Sequence, residues 1–499
     1  MSSNQVLTPQ LIPWITAILL LFLHRRIIWQ RAVSGVSAVI ALANAAYLLH
    51  CVLKKGTLVF WAGDWLPPFG ITMVADTFSA LLVLLTAIIE TTCIFYSFSH
   101  IDAGRERHFY YFLLQMMLVG CNGAFVAGDI FNLYVWFEIL LLSSYVLLAL
   151  GGEKGQLRET LPYAVLNILA STFFLVGLGL LYGITGTLNM ADLAVKLPQI
   201  QNRDLVDLIA VIFLFVFGSK AAIFPLFYWL PHSYAQPPAA VSAIFGGLLT
   251  KVGVYCLIRT FTLLFAGVSA YIYTLLYVLG AATMVLGGLG AIYQYQYRKI
   301  LSFSIISQVG YMVLGLAMHT VLSIAAAIYF LFHNILVKTS LFYFAGATEE
   351  ISGTGDLKQM SGLIHRFPLL AWGFFLGGIS LAGVPPFSGF FAKLLLLQSA
   401  AESGDGWAMF FTLAVGFLTL FYTIKIFMHC YWGEEKSLLP LDAAGNATYR
   451  RKLASPLLLV ALSLAAGLAS APVTGVVLQA AAEISDPGLY IQAVFGQIY

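Results

Sequence analysis

Charge is scarce in this sequence. Only 9% of its 499 residues are Asp, Glu, Lys or Arg, against about 25% in an ordinary soluble domain. That scarcity, with 60% apolar residues and a mean hydropathy of +0.90, excludes a soluble globular chain and points to an all-α polytopic membrane protein. An excess of either sign is missing too: the formal net charge is +3 and no basic patch is present, so nucleic acid is not expected as a partner. Cysteine is sparse and scattered. Cys51, Cys93, Cys121, Cys256 and Cys430 show no Cys-x-x-Cys spacing, which removes a disulfide framework, a metal site, an iron–sulfur cluster and a c-type haem, so no cofactor is expected. No Gly-x4-Gly-Lys-Ser/Thr loop occurs, so ATP does not drive this chain. The glycine clusters at 177–183 and 287–290 lie inside apolar runs and read as close helix packing, not dinucleotide binding.

What is abundant is long apolar sequence. Runs able to span a bilayer lie near 6–23, 32–53, 73–97, 109–127, 129–150, 160–183, 205–228, 238–262, 268–294, 300–318, 320–346, 367–400, 407–432 and 453–471, which makes about 14 spans. The first has no basic segment before it and no small-residue cleavage site after it; it ends at His24-Arg25-Arg26, so it reads as a retained span, not a signal peptide. The twelfth is too long for one straight helix and contains Pro385-Pro386, so a helix broken at mid-membrane is expected. The stretch GSKAAIFPLFYWLPHSYAQPP at 218–238 couples proline to lysine in the same way as SLAGVPPFSGFFAK at 380–393. Interrupted helices in corresponding positions of two halves point to a transport site.

The loops alternate in basic content. Odd-numbered loops hold 15 Lys or Arg, including Arg25, Arg105, Arg298, Lys436 and Lys452, while even-numbered loops hold five. By the positive-inside rule the odd loops are cytoplasmic and both termini lie outside. Two stretches, about 186–204 and the tail after Pro472, look amphipathic and are expected on the outer surface, along the interface or against a partner.

Against this apolar background, Glu138, Lys220, Lys251, Lys338 and Lys393 each lie well inside a span. A charge at the centre of a spanning helix costs about 2.5–3.5 kcal/mol, or about 12–17 kcal/mol for five, so residues needed only to sit in lipid would not include them. Glu138, in FNLYVWFEILLLSSYVLL, reads either as a permanently protonated carboxyl or as an anion paired with Lys220 at similar depth; separating such a pair would push the lysine proton onward. Lys251 has small residues before it and no acidic neighbour on its own helix. An ammonium without a counter-charge in low dielectric gives up its proton readily, which suits a relay. Lys338 follows His333 and Asn334, so His333 is either a packing residue or a helper in proton transfer. Lys393, after the proline break, would be the last buried carrier. Asp76, Asp129 and Arg259 lie near span ends, where charge is inexpensive; Lys425 and His429 can snorkel; Glu90 is deep, with no evident partner.

These motifs resemble the antiporter-like family shared by the proton-pumping membrane subunits of NADH:quinone oxidoreductase and the Mrp-type multisubunit Na+/H+ antiporters. The resemblance rests on FNLYVWFEILLLSSYVLLALGG, QLRETLPYAVLNILASTFFLVGLGLLYGITGTLNMADLA, GSKAAIFPLFYWLPHSYAQPPAAVSAIFGGLLTKVG and VPPFSGFFAK. The first two are more similar to D-type Mrp subunits than to any respiratory subunit. The resemblance implies relay residues at Glu138, Lys220, Lys251 and Lys393, with an eleventh-span element at His333 to Lys338, where Asn334 replaces a second histidine. It also implies two inverted five-helix repeats, at 109–264 and 265–433, between a three-span region (1–108) and a last loop, span and tail (434–499). The implied function is proton translocation coupled to sodium efflux in a prokaryotic cytoplasmic membrane. The implied partners are Mrp subunits A, B, C, E, F and G, with A and C in direct contact, besides H+, Na+ and the lipid bilayer. The alternatives are a pumping subunit of a respiratory NADH:quinone oxidoreductase or related hydrogenase complex, and a stand-alone transporter of an organic solute, which would require a cavity with several neutral polar groups.

Overall fold

The computed structural model describes residues 3–434 and 443–496; Lys436, counted above among the loop cations, lies outside them. In chain order the apolar helices are α1 (Thr8–Phe22), α2 (Ile27–Lys55), α3 (Thr77–His100), α4 (Tyr110–Val126), α5 (Ile130–Ala149), α6 (Lys154–Thr185), α7 (Arg203–Ala221), α8 (Ala239–Leu263), α9 (Ala270–Tyr293), α10 (Tyr297–Ala317), α11 (Val321–Ser352), α12 (Pro368–Ala382), α13 (Ser388–Glu402), α14 (Gly406–Cys430) and α15 (Ala443–Leu468). The tail forms α16 (Ser470–Ser485) and α17 (Pro487–Phe495). Among the described residues, 10 helices are long and apolar enough to cross a membrane, and α1, α4 and α12 are shorter apolar helices.

The fold is helical but not purely so. Between α2 and α3, strands β1 (Leu58–Trp61) and β2 (Thr72–Ala75) pair antiparallel, Leu58 opposite Ala75 and Trp61 opposite Thr72. Both carry β-branched or aromatic residues, and the segment between them holds Gly63, Pro67-Pro68 and Gly70, residues that make turns and stop helices.

Both proline breaks are present. After α7 the chain turns through Ala222, at φ +61, and Phe224-Pro225 before one helical turn at Trp229–Ser233. After α12, Gly383 takes φ +87 and the chain stays non-helical through Pro385-Pro386 until α13 begins. Proline supplies no backbone donor and clashes with the preceding turn, and the positive φ closes each helix before it.

The helices are not equally buried. α8 is buried along its whole length and α10 and α11 nearly so, whereas in α2, α6 and α14 fewer than half of the residues are buried. On α6, Leu157, Leu161, Val165 and Ile168 are exposed at helical spacing, an apolar stripe suited to lipid or another helix. α11 is the hub, packing against α3, α8, α10, α12, α13, α15 and α16. The lysine-bearing helices α8 and α11 thus lie where lipid cannot reach.

The amphipathic segments pack inward. α16 lies on α3 and α11, and α17 lies on the short helix Met190–Lys196. Glu483 of α16 accepts from the backbone N–H of Thr77 at 3.1 Å and from its hydroxyl at 2.8 Å, satisfying an orphan donor at the start of α3. Each of these segments thus covers part of its own bundle with one face, while residues such as Leu478 stay exposed on the other.

Candidate functional site

The site begins with an irregularity in α8. Phe245–Leu249 form one π-turn, a widened turn that disturbs the i to i−4 ladder. Lys251 follows, and its Nζ donates to the backbone carbonyl of Gly246 inside that turn. A Cβ on Gly247 would collide with Thr339 Oγ1 of α11, and one on Gly253 would lie 2.6 Å from the Ala221 nitrogen at the end of α7. Glycine at these two positions lets α8 touch both neighbours at backbone distance, bringing Lys251 between Lys220 and Lys338.

Lys220 is the penultimate residue of α7 and is buried. Its Nζ donates to Ser171 Oγ of α6 at 3.2 Å and stands over the Phe137 ring, 4.8 Å from the centroid. Glu138 is next to Phe137 in α5, but it forms no ion pair with Lys220 here: Glu138 Oε1 is buried without a hydrogen-bond partner. In this structure Lys220 is thus held by a serine and an aromatic face, without a direct ion pair to Glu138. Linear spacing gives depth along a helix, not the rotation that decides which side chain a lysine reaches.

Lys338 is fully buried in α11 and donates to Ser304 Oγ of α10. Lys251 and Lys393 stand on α8 and α13, which both pack against α11, so the three lysines lie on adjoining helices. His333, one turn away and fully buried, is bonded through Nδ1 to Ser388 Oγ at 2.8 Å, where α13 begins. Ser388, Ser463 and Ser380 continue as a hydroxyl chain, each step 2.8 Å. His333 therefore joins α11 to the broken helix and to α15, and its Nε2 has no protein partner. Asn334 donates to its own helix at Phe330 O, 2.9 Å away, so it does not extend the row.

Lys393 in α13 donates to the Ala382 carbonyl freed by the end of α12, and lies over the Tyr311 ring, 5.6 Å from the centroid. A cavity of about 230 Å³ opens beside it, lined by Val384, Phe390, Thr412, Gly416 and Phe417. Near the Lys338–Lys393 segment, Gln308 Oε1, Thr412 Oγ1 and Tyr422 OH are buried with no protein partner. Unpaired buried polar groups are those that internal water serves. The arrangement therefore offers lysines, hydroxyls and backbone carbonyls in sequence, each lysine bonded to a neutral acceptor.

Sequence reasoning missed three arrangements. Arg259 and Asp76 read as inexpensive end-of-span charges, yet Arg259 Nη2 meets Asp76 Oδ2 at 2.5 Å with both side chains 4–5% exposed. Tyr490 of α17 covers the guanidinium, 5.4 Å from the ring centroid; the pair is buried because the tail folds back. Glu90 does have a partner: Gln115 Nε2 donates to its Oε1 at 3.1 Å. Lys425 does not reach away from the protein; it donates to Ile292 O at 2.7 Å and Gln294 O at 2.8 Å, at the carbonyl end of α9, where a cation is favoured.

Residues 127–419 match the family model described as NADH:quinone oxidoreductase/Mrp antiporter, TM, a stretch that includes all six candidate site residues. The chain is 47% identical to the D-type subunit of the Na(+)/H(+) antiporter of Alkalihalophilus pseudofirmus, over 99% of both chains. It is 43% identical to the corresponding protein of Bacillus subtilis, again over 99% of both. Among solved structures it resembles a chain of the Mrp complex from Dietzia sp. DQ12-45-1b, with a TM-score of 0.92, 32% identity and 99% of each chain covered. A chain of the membrane-bound sulfane sulfur reductase, an archaeal respiratory membrane complex, matches with a TM-score of 0.89 and 28% identity, covering 99% of this chain and 100% of the other.

Proposed function

The chain belongs to the NADH:quinone oxidoreductase/Mrp antiporter family as a multi-pass membrane subunit of the Mrp antiporter type, and on that premise we propose that it carries protons along its buried Glu–Lys row. In this reading protons enter near Glu138 and Lys220, cross the middle through Lys251, pass Lys338 with His333 as helper, and leave from Lys393. Sodium moves outward elsewhere in the complex, and this subunit supplies the proton leg of a secondary transporter.

The observation that carries the proposal is the row Lys251–Lys338–Lys393 on packed helices, whose ammonium groups donate to Gly246 O, Ser304 Oγ and Ala382 O in turn. Neutral acceptors leave each ammonium uncompensated, so loading one lysine disfavours loading the next. Like charges on adjoining helices repel more strongly away from water, which favours passing a proton along the row. The Lys220–Ser171 bond beside an unengaged Glu138 represents the open position of a switch whose closed position is the Lys220–Glu138 ion pair.

The same reading takes α7 with Trp229–Ser233, and α12 with α13, as one broken crossing each, giving 14 spans. The repeats are 109–264 and 265–433, flanked by 1–108 and 434–499, with both termini outside. The exposed apolar faces of α2, α6 and α14 are then available to lipid and to the other Mrp subunits, A, B, C, E, F and G, with A and C in direct contact.

A second reading, a pumping subunit of a redox-driven complex, is favoured by the similarity to the sulfane sulfur reductase chain. Antiport in inverted vesicles containing the whole complex separates the two. Glu138→Ala, Lys220→Ala, Lys251→Ala and Lys393→Ala at equal assembly are each expected to lower sodium-dependent proton movement at least tenfold. Near-normal movement in all four would sink the relay, and proton movement that requires an electron donor would favour the second reading.

A further inference from the structure

A second polar pocket, of about 350 Å³, lies at the end of the bundle that carries the basic loops, lined in part by His100, Gln156, Gln236, Arg298, Glu349 and Glu350. None of these residues belongs to the lysine row. His100 is the last residue of α3, and its Nε2 accepts the backbone N–H of Ala239, the first residue of α8, at 3.0 Å. A ring nitrogen that accepts a hydrogen bond carries no proton, so this is the neutral imidazole with its proton on Nδ1. Nδ1 faces Glu350 Oε2 of α11 at 3.8 Å. Glu350 also receives Lys452 Nζ from α15 at 2.5 Å. From α10, Arg298 is held by Glu349, at 2.7 Å through Nε and 2.5 Å through Nη2, and donates to Pro237 O at 2.5 Å. Arg105 and Glu153 pair at the rim, 2.5 Å apart.

From this pocket a polar line runs inward. Tyr96 packs on His100, 5.1 Å between ring centroids, and stacks on Tyr343 of α11 at 4.3 Å. Tyr343 OH is buried without a partner. Thr339, one turn further along α11, touches Gly247, within the π-turn whose Gly246 carbonyl holds Lys251.

We propose that His100, with Glu350 as its counter-charge, is the residue through which protons pass between the cytoplasm and α8, and that loading it releases the start of the helix carrying Lys251. A proton taken by Nε2 turns that atom from acceptor into donor. It then faces the Ala239 N–H donor to donor, the bond breaks, and Glu350 balances the imidazolium. Each proton exchanged at the mouth is thereby felt at the end of α8, about three turns from Lys251. This inference rests on the relay and orientation proposed above.

The test uses the whole complex in inverted vesicles, whose cytoplasmic face is outward, so the medium sets the pH at His100. His100→Gln keeps an oxygen to accept from Ala239 but cannot titrate. Its antiport rate is expected to be several-fold lower, with the response to acidification below about pH 6.5 lost. Glu350→Gln removes the counter-charge, and the acid limb of the profile is expected to move about one pH unit downward. A His100→Gln profile of wild-type shape overturns the inference. Where that variant leaves too little rate to read, an unmoved acid limb in Glu350→Gln overturns it. Lys251→Ala is measured alongside: full antiport there sinks the relay itself, whereas a dead Lys251→Ala with an unaltered His100→Gln profile sinks this inference alone.

Discussion

Replacing Asp76 by Asn should weaken the protein through a charge left behind, not through a lost cap. Asp76 does two jobs: its Oδ1 accepts from Ser79 N at 2.8 Å, capping α3, and its Oδ2 meets Arg259 Nη2 at 2.5 Å. Asparagine caps as well as aspartate, so the cap survives and only the counter-charge goes. Arg259 is 4% exposed and keeps its proton. Stranding one member of a buried ion pair costs about 3–5 kcal/mol. Arg259→Gln should cost a similar amount by stranding the carboxylate, whereas the double replacement leaves two neutral amides and should cost much less than the sum. The assay is the rate of irreversible thermal inactivation of the purified complex, since such an assembly has no single unfolding equilibrium. About 3 kcal/mol absent from the unfolding transition state corresponds to roughly a hundredfold in rate. Each single variant should therefore inactivate about a hundred times faster, and the double variant less than tenfold faster, than the parent. A double variant as fast as the product of the two singles would refute the reasoning.

Two more consequences are open to test. Gly247→Val should drive α8 away from Thr339 and part Lys251 from Lys338; antiport should fall at least tenfold while the complex still assembles, and undiminished antiport would show that the close approach is not needed. Asp129, between α4 and α5, is pushed up to about 6 from its ordinary 3.8 by burial, despite its bond from Asn132 N. Because the folded value lies above the unfolded one, its contribution is fully present below about pH 3.8 and lost as pH rises through 6. Asp129→Asn keeps the cap without titrating, so its resistance to thermal inactivation relative to the parent should improve between pH 4 and pH 7, by of order 3 kcal/mol; a constant difference at both pH values would contradict the sign.

The membrane character, the helices and both breaks follow from chain-local physics. A run of apolar residues has one stable form in lipid, and proline interrupts it wherever it stands. The lysines were legible for the same reason, since a charge inside such a run is costly without a role. The π-turn before Lys251 was not, because Gly246 and Gly247 are only small residues before the lysine until their neighbours Phe342 and Thr339 are known. The β1–β2 pair was hidden as well: four-residue strands carry too little periodic signal to stand out beside long apolar runs.

What the sequence alone determined, then, is an inventory: which residues are buried by their surroundings in the chain, where helices stop, and which side chains are too expensive to be there for packing. Partnership was decided only by the tertiary structure. Helix rotation and crossing turned Lys220 toward Ser171 and Phe137 instead of Glu138, set His100 against the first N–H of α8, and folded α17 over Arg259 so that a charge near a span end became a buried ion pair. Each of these depends on contacts between residues tens to hundreds of positions apart. The energy of a buried charge is set by what stands beside it in space, and linear spacing does not contain that.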